Sequence, residues 1–422
     1  MLSSSEEKRV YIFLDTMPQR QGSGASLRYY SNVRAYLDLG FTVEVIQVAT
    51  EPDGSEPSPD LSPVAWSRVV EPAPPPSLLG RLMFRAGVPT RAAVSYYFQK
   101  HGLVSREAEA RRRQSPAAVF HFEGESIANV VPWLPKQARA VWSLHDLPST
   151  VSAATTKIAC DAEQRPPTVA ERRELRFASR VERFMARRSP LILCIAQHDC
   201  ERLRTEWGCG PVEYLPMSIP DDGGVRRVNG WLAGGRLRLL HLGSVSHLPS
   251  YRSLEFLFER VFPLLPPRAL ERITLDVVGR LDRGHGRARR ILALAETYPN
   301  VSFRGFVDDV LPYYRQSDLQ VVGSTDASGL RTRTIESFAY GLPVLSTSVG
   351  ARGIARLEAG EHLMIADDAA QFAEHLSRLL DSPETLARFS RSGHDFYERH
   401  QSRAAVAAEL SRCLRAHLGV SA

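Results

Sequence analysis

Short apolar runs alternate with helical segments from the first residues of the chain onward. VYIFLD, at 10–15, is an apolar run, and GSGAS after it carries loop residues. LRYYSNVRAYLDLG repeats apolar side chains at Leu27, Tyr30, Val33 and Leu37 with Gly40 as a stop, and FTVEVIQV is a second run. A strand, helix, strand unit of this kind favours a parallel sheet with helices covering its faces. The pattern returns in AVFHF, ARAVWSLHD and LILCIA, with VEYLPMSIP last before a Gly-bearing break, DDGGVRRVNGWLAGG. Beyond it come LRLLHLG, ITLDVVG, VSFRG, DLQVVG and LPVLST, and helical segments close the chain. At 422 residues this is too much for one ordinary core. The expectation is α/β, two doubly wound domains with a cleft between them, ligands binding at the carboxyl ends of strands. The expected divisions are 1–220, a linker at 221–236, 237–400, and a C-terminal helix in 401–422 that packs back on the first domain.

Hydrophobic residues at 43% and charged residues at 24% are ordinary globular values, which sets aside disordered and fibrous classes. The opening MLSSSEEKRVYIFLD puts charges where a secretory signal needs an apolar core, and no stretch approaches the roughly 20 apolar residues of a membrane span. A cytoplasmic protein is expected. Five cysteines, Cys160, Cys194, Cys200, Cys209 and Cys413, are odd in number and scattered without a CxxC pair. Neither a disulfide framework nor a zinc site is expected, and no metal or cofactor. The net charge of +6, chiefly arginine, suits phosphate-bearing ligands or an anionic membrane surface. Helix-turn-helix patterns, zinc-finger spacings and basic strands with interleaved aromatics are missing, so nucleic acid is disfavoured as a partner.

One helix begins with the wrong charge. In SGLRTRTIESFAYGLPVLST, residues 328–347, Arg331 and Arg333 fall at a helix start near Leu330, where the macrodipole is already positive. The loop before it, GSTDASG, lets a ligand approach the backbone, and unpaired N–H groups at the helix start suit a phosphate. An anionic ligand would neutralise the two arginines. Glu336, three residues after Arg333 on nearly the same face, could accept hydrogen bonds from ribose hydroxyls. An ordinary Arg333–Glu336 surface pair fits the same residues.

LHLGSVSHLPSYRSLEFLFERVFPLL, LDVVGR, NVSFRGFVDDVLPYYRQSDLQVV and SGLRTRTIESFAYGLPVLSTSVGARGI, in this order and spacing over 237 to about 380, resemble the donor half of a family-4 glycosyltransferase of the GT-B architecture. The resemblance implies two Rossmann-like domains facing each other across a cleft. It also implies metal-independent transfer of a sugar, with retention of anomeric configuration, from a nucleotide diphosphate donor to an acceptor hydroxyl or amine. The last block of that family carries two glutamates with seven residues between them. The second matches Glu336, implied to bind the ribose, and the first falls on Ser328, which is no carboxylate. A subgroup has Gly, Arg, Lys before the second glutamate. Gly329, Arg331 and Arg333 are similar to it and are implied to hold the diphosphate. In GSVSHLPS many relatives carry Arg just after the glycine, here Gly243, and Lys five residues later. This chain has Ser244 and Pro249. Backbone around Gly279, Arg280, Phe306 and Val307 is implied to frame the nucleobase, while strand-end packing explains Phe306 and Val307 equally well.

Gly22 and Gly24 open the first helix, but Leu27 stands where a G-x-G-x-x-G fingerprint needs glycine. By resemblance, this glycine loop faces the donor phosphates. VWSLHDLPST puts His145 and Asp146 at a strand end, and the resemblance implies that such a histidine contacts the donor sugar or the acceptor, so His145 is the catalytic candidate. His121 and Glu123 in VFHFEGES form a similar pair that would border an acceptor pocket. SLLGRLMFRAG sets Leu78, Leu79, Leu82 and Met83 beside Arg81 and Arg85. Core packing and a membrane-facing helix for a lipid-linked acceptor both fit, which leaves a peripheral place at the inner membrane face open. The acceptor class (glycan, lipid-linked, small-molecule or protein) is not set by these residues. A sugar-nucleotide epimerase of the same architecture is one rival. A non-catalytic glycosyltransferase-like partner subunit is the other, and Ser244, Pro249 and Ser328 favour it.

Overall fold

The computed structural model describes residues 8–20, 24–51, 56–72, 75, 77–162, 164–220, 230–325 and 330–421. The chain divides into two compact units, Met1–Pro220 with Arg403–Ala422, and Asp221–Ser402.

The first unit holds a seven-stranded sheet built from β1 (Arg9–Leu14), β2 (Thr42–Ala49), β3 (Ala65–Val70), β4 (Val119–Glu123), β5 (Arg139–Leu144), β6 (Leu191–Cys194) and β7 (Val212–Tyr214). The spatial order is β3-β2-β1-β4-β5-β6-β7. Every pairing is parallel, with Ile12 opposite both Val45 and His121. A central parallel strand is covered on both faces, which is why β1 is buried without interruption from Val10 to Leu14. One face packs Phe13, Phe122, Trp142 and Phe177, and the Phe13 and Phe122 rings stack at 4.9 Å. The other packs Ile12, Val45, Leu193 and Tyr36. The Gly24–Asp38 helix stops at Gly40, whose φ of 76° suits glycine, and the Phe41 N–H closes back on the Tyr36 carbonyl at 3.0 Å. The last helix, Arg403–Leu418, belongs to this unit. Its Val406, Leu410 and Leu414 enter the Tyr36 cluster, and Arg403 pairs with Asp38.

The second unit holds β8 (Leu237–Leu242), β9 (Ile273–Val278), β10 (Val301–Gly305), β11 (Leu319–Val322), β12 (Val344–Ser346) and β13 (Met364–Ile365), in the order β10-β9-β8-β11-β12-β13 and again wholly parallel. Residues 221–229 of the expected linker lie outside the described residues. Its remainder joins the second body: Trp231 and Leu232 pack on that core, and the buried Asp318 accepts from the Leu232 N–H at 3.2 Å and from Arg238 Nε at 2.9 Å. The chain order reverses between β1 and β4 in one sheet and between β8 and β11 in the other, and ligand crevices form at such points. Among the described residues no helix is long and apolar enough to cross a membrane.

Candidate functional site

In the second unit, β11 is wholly buried, and the chain after it leads to the Thr332–Ala339 helix. Ile335, Phe338 and Ala339 recur at the three- and four-residue spacing that sinks one helix face into the core, and Gly341, at φ 66°, ends the helix. Arg331 is the N-cap. Its side chain caps no N–H of the helix.

The two arginines turn out not to be surface residues. Arg331 is only 8% exposed, with Nε 3.3 Å from Ser324 Oγ. Arg333 is half-buried. Its Nη2 donates to Ser250 Oγ at 3.2 Å, and its Nη1 is enclosed with no partner among the described residues. The guanidinium lies over bare backbone at the end of β8, since a Cβ on Gly243 would come 2.9 Å from Arg333 Nη2 and 2.2 Å from Ser250 Oγ. Gly279, at the end of β9, is held as tightly, because a Cβ there would stand 2.2 Å from the Gly243 carbonyl oxygen. Both glycines have positive φ, 138° and 147°. Burial and the neighbouring Arg331 pull the Arg333 guanidinium down to about 10. His247 is pulled below the usual histidine range by burial and by Arg333, Arg331 and Arg287, which marks the locality as electropositive.

Glu336 is the one carboxylate on this helix face. Tyr314 Oη donates to its Oε2 at 2.7 Å, while Oε1 has no partner among the described residues. The ordinary Arg333–Glu336 surface pair, the alternative reading of these residues, is not formed. Burial raises the Glu336 carboxyl, with Tyr314 and Arg333 opposing. Ser244 Oγ reaches the Arg280 carbonyl at 3.4 Å. Phe306, expected as a base contact or as strand-end packing, is 65% exposed with the Arg280 guanidinium 5.5 Å from its ring, so packing does not explain it. Val307 packs against the cluster of Leu240, Leu242 and Tyr314. Leu330 is half-buried. Ser328 and Gly329 lie outside the described residues, as does Gly22, while Gly24 is the exposed first residue of its helix.

A second constellation occupies the reversal point of the first sheet. His145, just past β5, is half-buried, with Nε2 3.1 Å from Glu123 Oε2 and its ring 5.1 Å from Tyr29. Glu123 and His121, expected to border an acceptor pocket, are both fully buried and present nothing to a bound molecule. They hold His145 instead. Glu123 accepts from Asn32 Nδ2 at 2.6 Å and lies 3.2 Å from His121 Nε2, and Tyr36 Oη is 3.0 Å from His121 Nδ1. Burial alone would raise the Glu123 carboxyl, but His121 and His145 hold it well below the usual range, so it is an ionised acceptor. A neutral His145 therefore carries its proton on Nε2 and keeps Nδ1 as the acceptor. Asp146 is half-buried on the same loop.

Residues not anticipated from the sequence complete this constellation. Asp15, which follows β1, accepts from Ser126 Oγ at 2.9 Å, Tyr29 Oη at 3.0 Å and Lys100 Nζ at 3.3 Å. The ending of VYIFLD in a carboxylate was the only signal. Glu182, 1% exposed, accepts from the Ser149 N–H, and burial raises its carboxyl to about 7. Because the folded value exceeds the ordinary one, the ionised form weakens the fold. This penalty is absent below the unfolded pKa, grows as pH rises, and levels off past the folded value. Glu182→Gln is expected to raise the melting temperature above neutral pH, by up to about 3 kcal/mol of stability, and to leave it unchanged in acid. A pH series of melting curves checks this.

Among the described residues one group, Glu213, Glu409 and Cys413, has metal-ligand atoms within 4.8 Å of one another. Arg412 and His417 already engage its carboxylates, and burial raises the Cys413 thiol to about 12.

Residues 236–382 match the family described as glycosyl transferases group 1. Among curated proteins none matches the chain. Solved structures do. Sucrose-phosphate synthase from Thermosynechococcus elongatus is 17% identical with a TM-score of 0.68, covering 98% of this chain and 100% of its own. Anabaena HepE in complex with UDP-glucose is 13% identical with a TM-score of 0.61, over 96% and 99%. The α,α-trehalose 6-phosphate synthase of Burkholderia multivorans is 12% identical with a TM-score of 0.62, over 97% and 96%. Identities this low carry the fold, two parallel-sheet Rossmann-like domains of the GT-B kind, and the family match makes residues 236–382 similar to glycosyl transferases group 1.

Proposed function

We propose that the chain moves a sugar from a nucleotide diphosphate donor to an acceptor hydroxyl or amine, with retention of anomeric configuration. The observation that carries this reading is the convergence of Arg331, Arg333, Gly243, Gly279 and Glu336 on one site within the residues that match glycosyl transferases group 1. Departure of a nucleoside diphosphate puts negative charge on phosphate oxygens, and fixed donors stabilise it without reorganising. Arg333 supplies a cation over the Gly243 backbone, next to Ser244 and near Pro249, where relatives carry their own basic residues. This supports a working enzyme over a subunit that has lost its chemistry. Glu336 binds ribose hydroxyls through Oε1 while Tyr314 orients Oε2. His145 approaches the donor sugar or the acceptor, with Glu123 as its positioning residue. The departing phosphate takes the acceptor proton, and no metal takes part, so a chelator is expected to leave turnover unchanged. The protein acts in the cytoplasm.

The first test is a thermal-shift screen over UDP, GDP, dTDP, ADP and CMP forms of sugar nucleotides. Product analysis then separates transfer from epimerisation, because an epimerase changes the donor with no acceptor present. Glu336→Gln is expected to weaken donor binding by roughly 1.5 to 3 kcal/mol, the worth of one charge-assisted hydrogen bond. Calorimetry that finds unchanged affinity refutes the ribose role. Since burial raises the Glu336 carboxyl, the wild-type affinity falls as pH drops through that raised value, above the pH at which an exposed glutamate would titrate, and the Gln variant does not show this fall.

A further inference from the structure

The Leu78–Ala86 helix is tied down at both ends and left bare on one side. Ser77 accepts from the Gly80 N–H at 3.0 Å, and Gly87 ends the helix at φ 72°. Gly80 is buried, and Met83 and Phe84 pack on the first unit's core. The opposite face is apolar and exposed, Leu78 at 74%, Leu79 at 58% and Leu82 at 49%, with Val88 at 45% just beyond. At about 100° per residue these leucines span an arc of roughly 100°, with Arg81 and Arg85 along one edge. Both arginines are exposed.

A second helix of the same unit supplies the charge. In Val169–Ala186, and on into the residues after it, Arg172, Arg176, Arg180, Arg183 and Arg187 recur at spacings of three and four and are all exposed. Glu171 and Glu174 fall on the other side of that helix by the same geometry. Arg180 Nη1 donates to the Gly87 carbonyl at 2.9 Å, which joins this arginine ridge to the end of the leucine helix. An open cleft of about 290 Å³ lies there, lined by Pro89, Arg180, Arg183, Phe184, Arg187 and Arg188. Among the described residues none of these ridge arginines is within ion-pair distance of a carboxylate.

We infer that this face docks on an anionic lipid surface, the leucines entering the headgroup boundary and the arginines binding lipid phosphates. Protruding apolar side chains on a convex helix match a soft bilayer better than the preformed pocket a protein partner would need, and the cations beside them, which no described carboxylate neutralises, select negative headgroups. Each arginine near such a surface adds roughly fivefold to partitioning.

The test is vesicle co-sedimentation of the full chain, using phosphatidylcholine with and without phosphatidylglycerol. The chain is expected to bind only the phosphatidylglycerol vesicles, and rising salt is expected to weaken this binding without abolishing it. Combined Arg81→Gln, Arg85→Gln and Arg176→Gln should weaken binding at least tenfold, on the order of a hundredfold at low salt. Combined Leu78→Ser, Leu79→Ser and Leu82→Ser should weaken binding that salt alone does not abolish. All six positions are exposed, so melting curves should stay unchanged, as should nucleotide-induced stabilisation. That readout separates failure of this surface from failure of the transferase reading. Equal binding to neutral vesicles, no binding to either, or variants that bind like wild type would overturn the inference. So would a dimer in solution that the serine variant dissociates, since the leucines would then face a second copy.

Discussion

Replacing Arg331 and Arg333 together with glutamine should abolish the rise in melting temperature that a saturating nucleotide diphosphate produces, while the ligand-free protein stays at least as stable as before. The two effects have different origins. Contacts between these cations and a diphosphate are charge-assisted, each worth roughly 1.5 to 3 kcal/mol, so losing both weakens binding at least a hundredfold, and the ligand-induced shift falls with it. Without ligand, both arginines sit at the positive end of a helix dipole, a few tenths of a kcal/mol each. Arg333 adds the desolvation of an enclosed Nη1 that is unpartnered among the described residues, and its link to Ser250 is a single 3.2 Å bond. These gains are expected to offset the bonds lost, from Arg333 to Ser250 and from Arg331 to Ser324. A double variant that loses stability without ligand yet keeps its full nucleotide shift would make the arginines structural and place the phosphates elsewhere.

His145→Ala should lower turnover by about a hundredfold or more while leaving nucleotide affinity unchanged, if the donor is held by Arg331, Arg333 and Glu336 as proposed. Glu123→Gln should lower turnover too, by less, since the amide keeps the Asn32 hydrogen bond but loses the charge that sets the His145 tautomer. Its readout is the pH dependence of turnover, which should shift in Glu123→Gln if Glu123 acts through His145 and should not if Glu123 only stabilises the fold. Its depressed pKa also carries stability that is full above the unfolded glutamate value and lost as pH falls through the folded one. The variant should therefore show a smaller acid-induced fall in melting temperature. Equal turnover in His145→Ala and wild type would return His145 to a packing role.

The strands were legible because a parallel strand covered on both faces must be apolar nearly throughout, and VYIFLD, LRLLHLG and DLQVVG are. The Gly40 stop, the reversed charge at the Thr332–Ala339 helix and the carboxylate three residues after Arg333 are local features, set by neighbours in sequence, and could be read there. The arginines' partners could not. Ser250 is 83 residues from Arg333, and Tyr314 is 22 from Glu336. Adjacency of β8 and β11 brings Ser250 to Arg333, and the helices before and after β11 bring Tyr314 to Glu336. The roles of His121 and Glu123 turned on the same kind of fact. As letters they look like an exposed polar pair after a strand, but β4 is a central strand of a sheet packed on both faces, so the pair is buried and becomes an internal brace for His145. Helical periodicity showed that Leu78, Leu79 and Leu82 share a face, yet it is blind to what that face meets. The sequence thus determined the elements and the charges they carry, since these depend on local sterics and spacing. Burial, pairing and exposure depend on which distant elements become neighbours, and only the tertiary structure decided those.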